Sequence, residues 1–161
     1  MNHRLFAAAC AALIAVAGLA PRSAAAMPTH PEFKLTLLDG KPFDLAAQRG
    51  KWVVVNYWAT WCVPCLQEMP ALDRFAQQHR GKVVVIGLAY DDSEPADIRA
   101  FLKAHPVHYS IAQVTLDKPL KDFDAPRGLP TTYLIAPDGT VAKPFVGPVT
   151  EQLLDAAIAG H

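Results

Sequence analysis

Cysteine is scarce in this chain, with three in 161 residues, at positions 10, 62 and 65. A scaffold stapled by disulfides uses four or more at wider spacings, so that class is excluded. A four-ligand zinc site is not expected either, because no second cysteine pair accompanies Cys62 and Cys65. Neither sign of charge is in excess: 15 basic side chains face 15 acidic ones, which offers no electrostatic hold on nucleic acid, and none is expected as a partner. Low-complexity tracts and internal repeats are missing. So is any apolar run of the roughly 20 residues that a membrane span requires.

The longest apolar run, Leu5 to Ala20, covers 16 residues, follows His3 and Arg4, and is followed by Ala24, Ala25 and Ala26 in an A-x-A arrangement. This pattern reads as a secretory leader cut after Ala26. A retained membrane anchor is the rival reading; the short, alanine-rich run and its stop at Pro21-Arg22 count against it. The expected organisation is a cleaved leader over 1–26 and one domain over 27–161, acting in the periplasm or outside the cell. Losing Arg4 and Arg22 leaves 13 basic against 15 acidic residues, and losing Cys10 leaves Cys62 and Cys65 as the only cysteines. A pair this close staples almost nothing, because the loop it closes is too short to restrict the unfolded chain.

The order of elements is that of an α/β domain. Phe33 to Leu38 alternates as a strand, and Asp39-Gly40 is a tight-turn signal before Phe43, which together suggest an opening hairpin. Trp52 to Trp58 is rich in β-branched and aromatic residues without charge, as a central strand covered on both faces would be. A helix then carries Cys65, Met69, Leu72 and Ala76 on one stripe as far as about His79, with Pro70 expected to kink it. Lys82 to Tyr90 is a second apolar strand, parallel to the first through a right-handed crossover. Ser93 is the expected N-cap of a helix with Ile98, Phe101 and Leu102 inward. A short strand near Ser110 to Gln113 and a helical turn around Pro119 to Phe123 come next. Thr131 to Ala136 and Thr140 to Val146 form a hairpin about Asp138-Gly139, and Thr150 caps a last helix with Leu154, Ala157 and Ile158 inward.

The dithiol falls where the first long strand gives way to the helix. A cysteine attacks a disulfide only as thiolate, and a helix start stabilises that anion through free N–H groups and the positive end of the helix dipole. Such sites lower a thiol pKa from about 8.5 into the range of roughly 3.5 to 7.5. Cys62, at the N-cap or first position, is the expected exposed nucleophile. Cys65 lies deeper on the same side and is the expected resolving thiol. Pro64 in the first turn costs no hydrogen bond and stiffens the helix start. No metal or cofactor is expected. The alternatives are a thiol oxidase, a peroxide-consuming thiol enzyme and, from another class, a copper carrier with His105 or His108 as distant third ligand.

Trp58-Ala59-Thr60-Trp61-Cys62-Val63-Pro64-Cys65 with Glu68-Met69-Pro70 resembles the thioredoxin superfamily, in particular the exported TlpA-like branch that includes the cytochrome c maturation reductases. Arg127-Gly128-Leu129-Pro130-Thr131-Thr132-Tyr133-Leu134-Ile135 is similar to the cis-proline loop and following strand of that family, and Phe145-Val146-Gly147 to its groove-lining loop. The resemblance implies a thioredoxin-like α/β fold, with a central mixed sheet flanked by helices on both faces, an N-terminal hairpin and a short insert before the cis-proline loop. On residues alone Pro130 is an ordinary trans turn proline; the resemblance implies a cis bond beside the dithiol, with the Leu129 backbone pairing to an extended substrate. Glu68 alone is a solvated acid near a helix start. The resemblance makes it a catalytic group that exchanges a proton with Cys65. Asn56, six positions before Cys62, departs from the buried aspartate that cytoplasmic thioredoxins commonly carry there, which makes Glu68 the better candidate for the proton role. Trp61, Val63, Pro64, Leu129, Pro130 and Gly147 are the residues expected to meet substrate, and Trp58 is expected in the core. The implied partners are proteins with disulfides or dithiols, apocytochrome c among them, and a membrane electron donor; the chain is expected to act as a monomer.

Overall fold

The computed structural model describes residues 27–161, and the expected leader lies outside the described residues. The elements in chain order are β1 (Lys34–Thr36), β2 (Pro42–Asp44), β3 (Trp52–Trp58), α1 (Val63–Gln78), β4 (Val83–Tyr90), α2 (Pro95–Ala104), β5 (Ser110–Val114), β6 (Thr131–Ile135), β7 (Val141–Val146) and α3 (Glu151–Ala159). Strands β1 and β2 form an antiparallel hairpin in register Leu35 to Phe43, turned by Gly40 at φ +86°. The other five make one sheet in the order β5-β4-β3-β6-β7. Strand β3 runs parallel to β4 and antiparallel to β6, and β4 runs parallel to β5. The fold is the thioredoxin-like one, with the opening hairpin in place.

The central position of β3 explains its composition, since Val53 to Trp58 are all buried and alternate between two cores. Val54 and Trp58 join Val83, Val85 and Leu134 on one face, against Cys65, Met69, Leu72 and Phe75 of α1, Ile98 of α2 and Leu154 of α3. Val53, Val55 and Tyr57 join Ile86, Leu88, Tyr133 and Ile135 on the other, against Phe33, Phe43, Leu45, Leu120 and Phe123. All three α-helices therefore pack on one face, where helices on both had been expected. Two right-handed crossovers that step the same way, β3 to β4 to β5, set both helices on the same side. The second face is covered by the hairpin and by the segment between β5 and β6.

Three local expectations shift. The buried stripe of α1 is Cys65, Glu68, Met69, Leu72 and Phe75, with Ala76 only half-buried, so it takes in a carboxylate. The N-cap of α2 is Glu94, without a side-chain cap bond, because the Ser93 hydroxyl is drawn to Asp91 at 2.6 Å. Around Pro119 to Phe123 there is one hydrogen-bonded turn, Phe123 N–H to the Leu120 carbonyl at 3.4 Å, and no helix. Phe123 is held there by its ring contacts, edge-on to Phe33 and Tyr133 at 5.6 and 5.2 Å. Both sheet edges are protected: Leu38 N–H donates to the Ile111 carbonyl of β5 at 2.8 Å, and edge strand β7 carries Pro144, which has no N–H to offer.

Gly87 of β4, opposite Asn56 in the ladder, is where the helix-side core comes closest to backbone. A Cβ there would lie 2.6 Å from Ile111 Cδ1 and 3.1 Å from both Trp58 Nε1 and Tyr109 Cε2. Gly87→Ala is expected to cost about 1–3 kcal/mol of stability by overpacking, read as a lower denaturant midpoint with an unchanged slope.

Candidate active site

The site is built at the carboxyl ends of the parallel strands β3 and β4, where open α/β sheets place their ligands. Beyond β3 the chain turns over Ala59 to Cys62, closed by the Cys62 N–H to the Ala59 carbonyl at 3.1 Å. Cys62 is the N-cap of α1, and its Sγ accepts the Cys65 N–H at 3.3 Å. The two sulfurs are joined in a disulfide. Cys65 is sealed at 0% exposure, whereas Cys62 keeps 5% and borders an open groove of about 990 Å³. Only the first sulfur is therefore open to attack on or by another molecule.

That groove brings together many of the residues singled out in the sequence. Trp61, Val63 and Pro64 line it from the start of α1, and Leu129 with Gly128 and Pro126 from the loop before β6. Trp61 and Val63 are largely exposed at 69% and 62%, so the groove presents apolar surface to solvent beside the sulfur. The Leu129–Pro130 bond is cis. The Pro130 carbonyl accepts the Gly147 N–H at 2.9 Å, with Gly147 at φ +97°, a conformation that disfavours any side chain. Pro130 and Gly147 thus shape the loop while Leu129 faces the groove. Trp58 is fully buried against Phe101.

Glu68 lies on α1 one turn past Cys65 and is 3% exposed. Its Oε1 accepts from Asn56 Nδ2 and its Oε2 from the Val149 N–H, each at 2.7 Å. Asn56 Nδ2 also donates to Thr132 Oγ1 at 3.0 Å, and Asn56 Oδ1 has no protein partner. Burial pushes the Glu68 carboxyl up to about 7, against the opposing pull of the bonds from Val149 and Asn56. The group can therefore take up or release a proton near neutral pH. Asn56, buried at the centre of β3, serves as a donor to the acid.

Two histidines considered as metal ligands are engaged elsewhere. His105 stacks on Phe101 at 4.2 Å between ring centres, and His108 Nδ1 lies 2.9 Å from Asp73 Oδ2. Among the described residues no three His, Cys, Asp or Glu side chains gather as ligands.

Sequence reasoning passed over Thr132, Val149 and Asp91. Asp91, just beyond β4, lines the groove and is 5% exposed. Its Oδ2 accepts from the Thr60 N–H at 3.0 Å and the Thr60 hydroxyl at 2.6 Å; its Oδ1 accepts from the Ser93 N–H at 2.9 Å and the Ser93 hydroxyl at 2.6 Å. Burial by itself would raise this carboxyl, but the bonds from Ser93 and Thr60 prevail and hold it below the ordinary carboxylate value. An acid at the carboxyl end of an apolar parallel strand was the signal that could have found it.

The profile of the AhpC/TSA family matches residues 28–143. Thioredoxin-like protein YneN of Bacillus subtilis is 32% identical over 130 residues, covering 78% of this chain and 74% of its own length. Thiol-disulfide oxidoreductase ResA of Bacillus cereus is 34% identical over 128 residues, covering 78% of this chain and 72% of its own. Among solved structures, a thiol:disulfide interchange protein of the thioredoxin family from Chlorobium tepidum aligns with a TM-score of 0.72 at 28% identity, over 85% of this chain and 98% of that one.

The state of Glu68 makes stability depend on pH. With a folded value of about 7 against 4.5 in the unfolded chain, the folded protein keeps a proton between those values that the unfolded chain has released. Stability contributed by this group is full below pH 4.5, falls as pH rises toward 7, and levels off above it, a loss on the order of 3 kcal/mol. Glu68→Gln is expected to flatten that fall, since the introduced amide does not titrate. Thermal melts of both oxidised proteins at pH 5 and pH 8 read the difference.

Proposed function

The chain belongs to the AhpC/TSA family and is a thiol-disulfide oxidoreductase with its disulfide at Cys62 and Cys65; from that premise we propose that it is an exported reductase of disulfides in other proteins. Export is supported by the leader-like residues 1–26. The reducing direction is supported by the resemblance to cytochrome c maturation reductases, whose clients' haem-attachment cysteines must stay reduced. An oxidising compartment supplies no reduced thiols, so a membrane partner delivers two electrons to restore the dithiol.

The observation that carries the mechanism is a buried carboxyl, Glu68, poised near neutrality one turn after a buried cysteine. In the reduced protein the Cys62 thiolate attacks one sulfur of the client disulfide. A Cys62–client mixed disulfide forms and the other client sulfur leaves as thiolate, to be protonated from solvent. The client segment lies along the groove against Trp61, Val63, Pro64 and the Leu129 backbone, in the loop set by Pro130 and Gly147. Cys65 passes its proton to the Glu68 carboxylate and, as thiolate, attacks the Cys62 sulfur. The mixed disulfide breaks, the second client thiolate departs, and the Cys62–Cys65 disulfide is restored. One disulfide has been reduced and one dithiol oxidised, with no cofactor.

The potential of the couple, equilibrated against glutathione, tests the direction. It is expected on the reducing side, near the about −270 mV of thioredoxin; a value near the about −120 mV of strong oxidants would overturn the reductase reading in favour of a thiol oxidase. The proton role is read in the second step. Glu68→Gln is expected to slow resolution of a preformed mixed disulfide on the order of 100-fold at neutral pH, and to remove a rise in the wild-type rate through about pH 7. Equal resolution rates in the two proteins across pH would reduce Glu68 to a structural acid.

A further inference from the structure

The groove carries an ionised side chain that the exchange mechanism does not use. The Ala59–Cys62 turn, which presents the nucleophile, is held from outside by Asp91: both the backbone and the hydroxyl of Thr60 donate to Asp91 Oδ2. Asp91 is in turn fixed to its own strand end by Ser93. Gln113 Nε2 locks that segment, donating to the Asp91 carbonyl at 2.8 Å and the Ser93 carbonyl at 2.7 Å. Four bonds to one buried carboxylate are far more than a surface acid needs, and they stabilise its charged form.

We propose that Asp91 is a positioning residue for Cys62: it pins the turn that presents the sulfur, and its fixed negative charge on the groove wall opposes thiolate formation and so favours the oxidised enzyme after reaction. This rests on the reductase reading and deepens it. A thiol at a helix N-cap is drawn toward the thiolate by the dipole, and a reduced form stabilised in that way makes an oxidant. A fixed anion on the wall of the groove that Cys62 borders works against that pull. The charged groups around Cys62 are consistent with this sign. Tyr90, Asp91 and Asp92 are the titratable residues of the β4 end that line the groove, the two acids being its charged members, and Glu68 is buried on α1. The loop before β6 contributes Pro126, Gly128 and Leu129, with Arg127 between them exposed and outside the lining.

The test is the rate of Cys62 alkylation by iodoacetamide against pH in the reduced protein, followed by mass spectrometry, for wild type and Asp91→Asn. The isosteric amide is expected to lower the apparent thiol pKa by about half to one unit, which is roughly three- to tenfold more thiolate at a pH below both values. The glutathione equilibrium is expected to move toward the reduced dithiol in the same variant. Thr60→Val removes one bond of the clamp and keeps the charge; it is expected to lower the thermal midpoint without lowering the thiol pKa. Should Asp91→Asn fail to fold, Thr60→Val decides alone, and a lowered thiol pKa there overturns the electrostatic role. If both variants lose stability and neither shifts the thiol, Asp91 is a structural clamp only and the proposal fails. A wild-type potential like that of strong oxidants would instead sink the reductase reading, while the sign of the Asp91→Asn difference would still stand.

Discussion

One buried carboxylate holds the helix layer to the sheet. Glu68 on α1 receives a hydrogen bond from Asn56 at the centre of β3 and another from Val149 just before α3, and Asn56 reaches Thr132 on β6. Two strands, α1 and the residue preceding α3 are thereby tied through a group that is almost wholly buried. Its cost is desolvation, offset by two short bonds to charge. Because neither donor is a cation, the offset is partial and the proton is held more tightly than in water. A structural tie and a proton-exchanging group thus coincide in one side chain.

Around that tie the two sulfurs are made unequal. Cys65 is on the buried stripe of α1 and packs with Met69 and Leu72, whereas Cys62 caps the helix at the edge of the groove. The groove wall is not a flexible loop laid over the site. Asp91, Ser93 and Gln113 knit the end of β4 to β5, and Asp92 Oδ1 accepts the Leu116 N–H at 3.1 Å. Exposed Trp61, Val63 and Leu116 leave apolar surface on a rigid frame, which suits brief docking of an extended segment at low ordering cost.

The chain's local grammar was legible. Strand β3 was readable from its β-branched run, α1 from its stripe and its prolines, the last hairpin from Asp138-Gly139, and α3 from Thr150, whose hydroxyl accepts the Leu153 N–H. Where reading failed, a longer-range contact had won. Ser93 looked like a helix cap until Asp91 claimed its hydroxyl. Leu120 and Phe123 frame the single turn expected there, and their burial against the hairpin keeps it from extending into a helix. The layer assignment failed because it depends on which way successive crossovers step, and periodicity carries no such information.

What the sequence by itself determined is the type and order of most elements and the placing of Cys62 and Cys65 at a helix start, because these depend on residues a few positions apart. The tertiary structure decided the rest: the cis bond at Pro130, the face on which the helices lie, the clamp of Asp91 on Thr60 and the proton affinity of Glu68. The physical reason is distance along the chain. The donors that meet Glu68 lie 12 and 81 residues away, and the burial that raises its carboxyl comes from packing those distant segments together. No short stretch of sequence contains that environment.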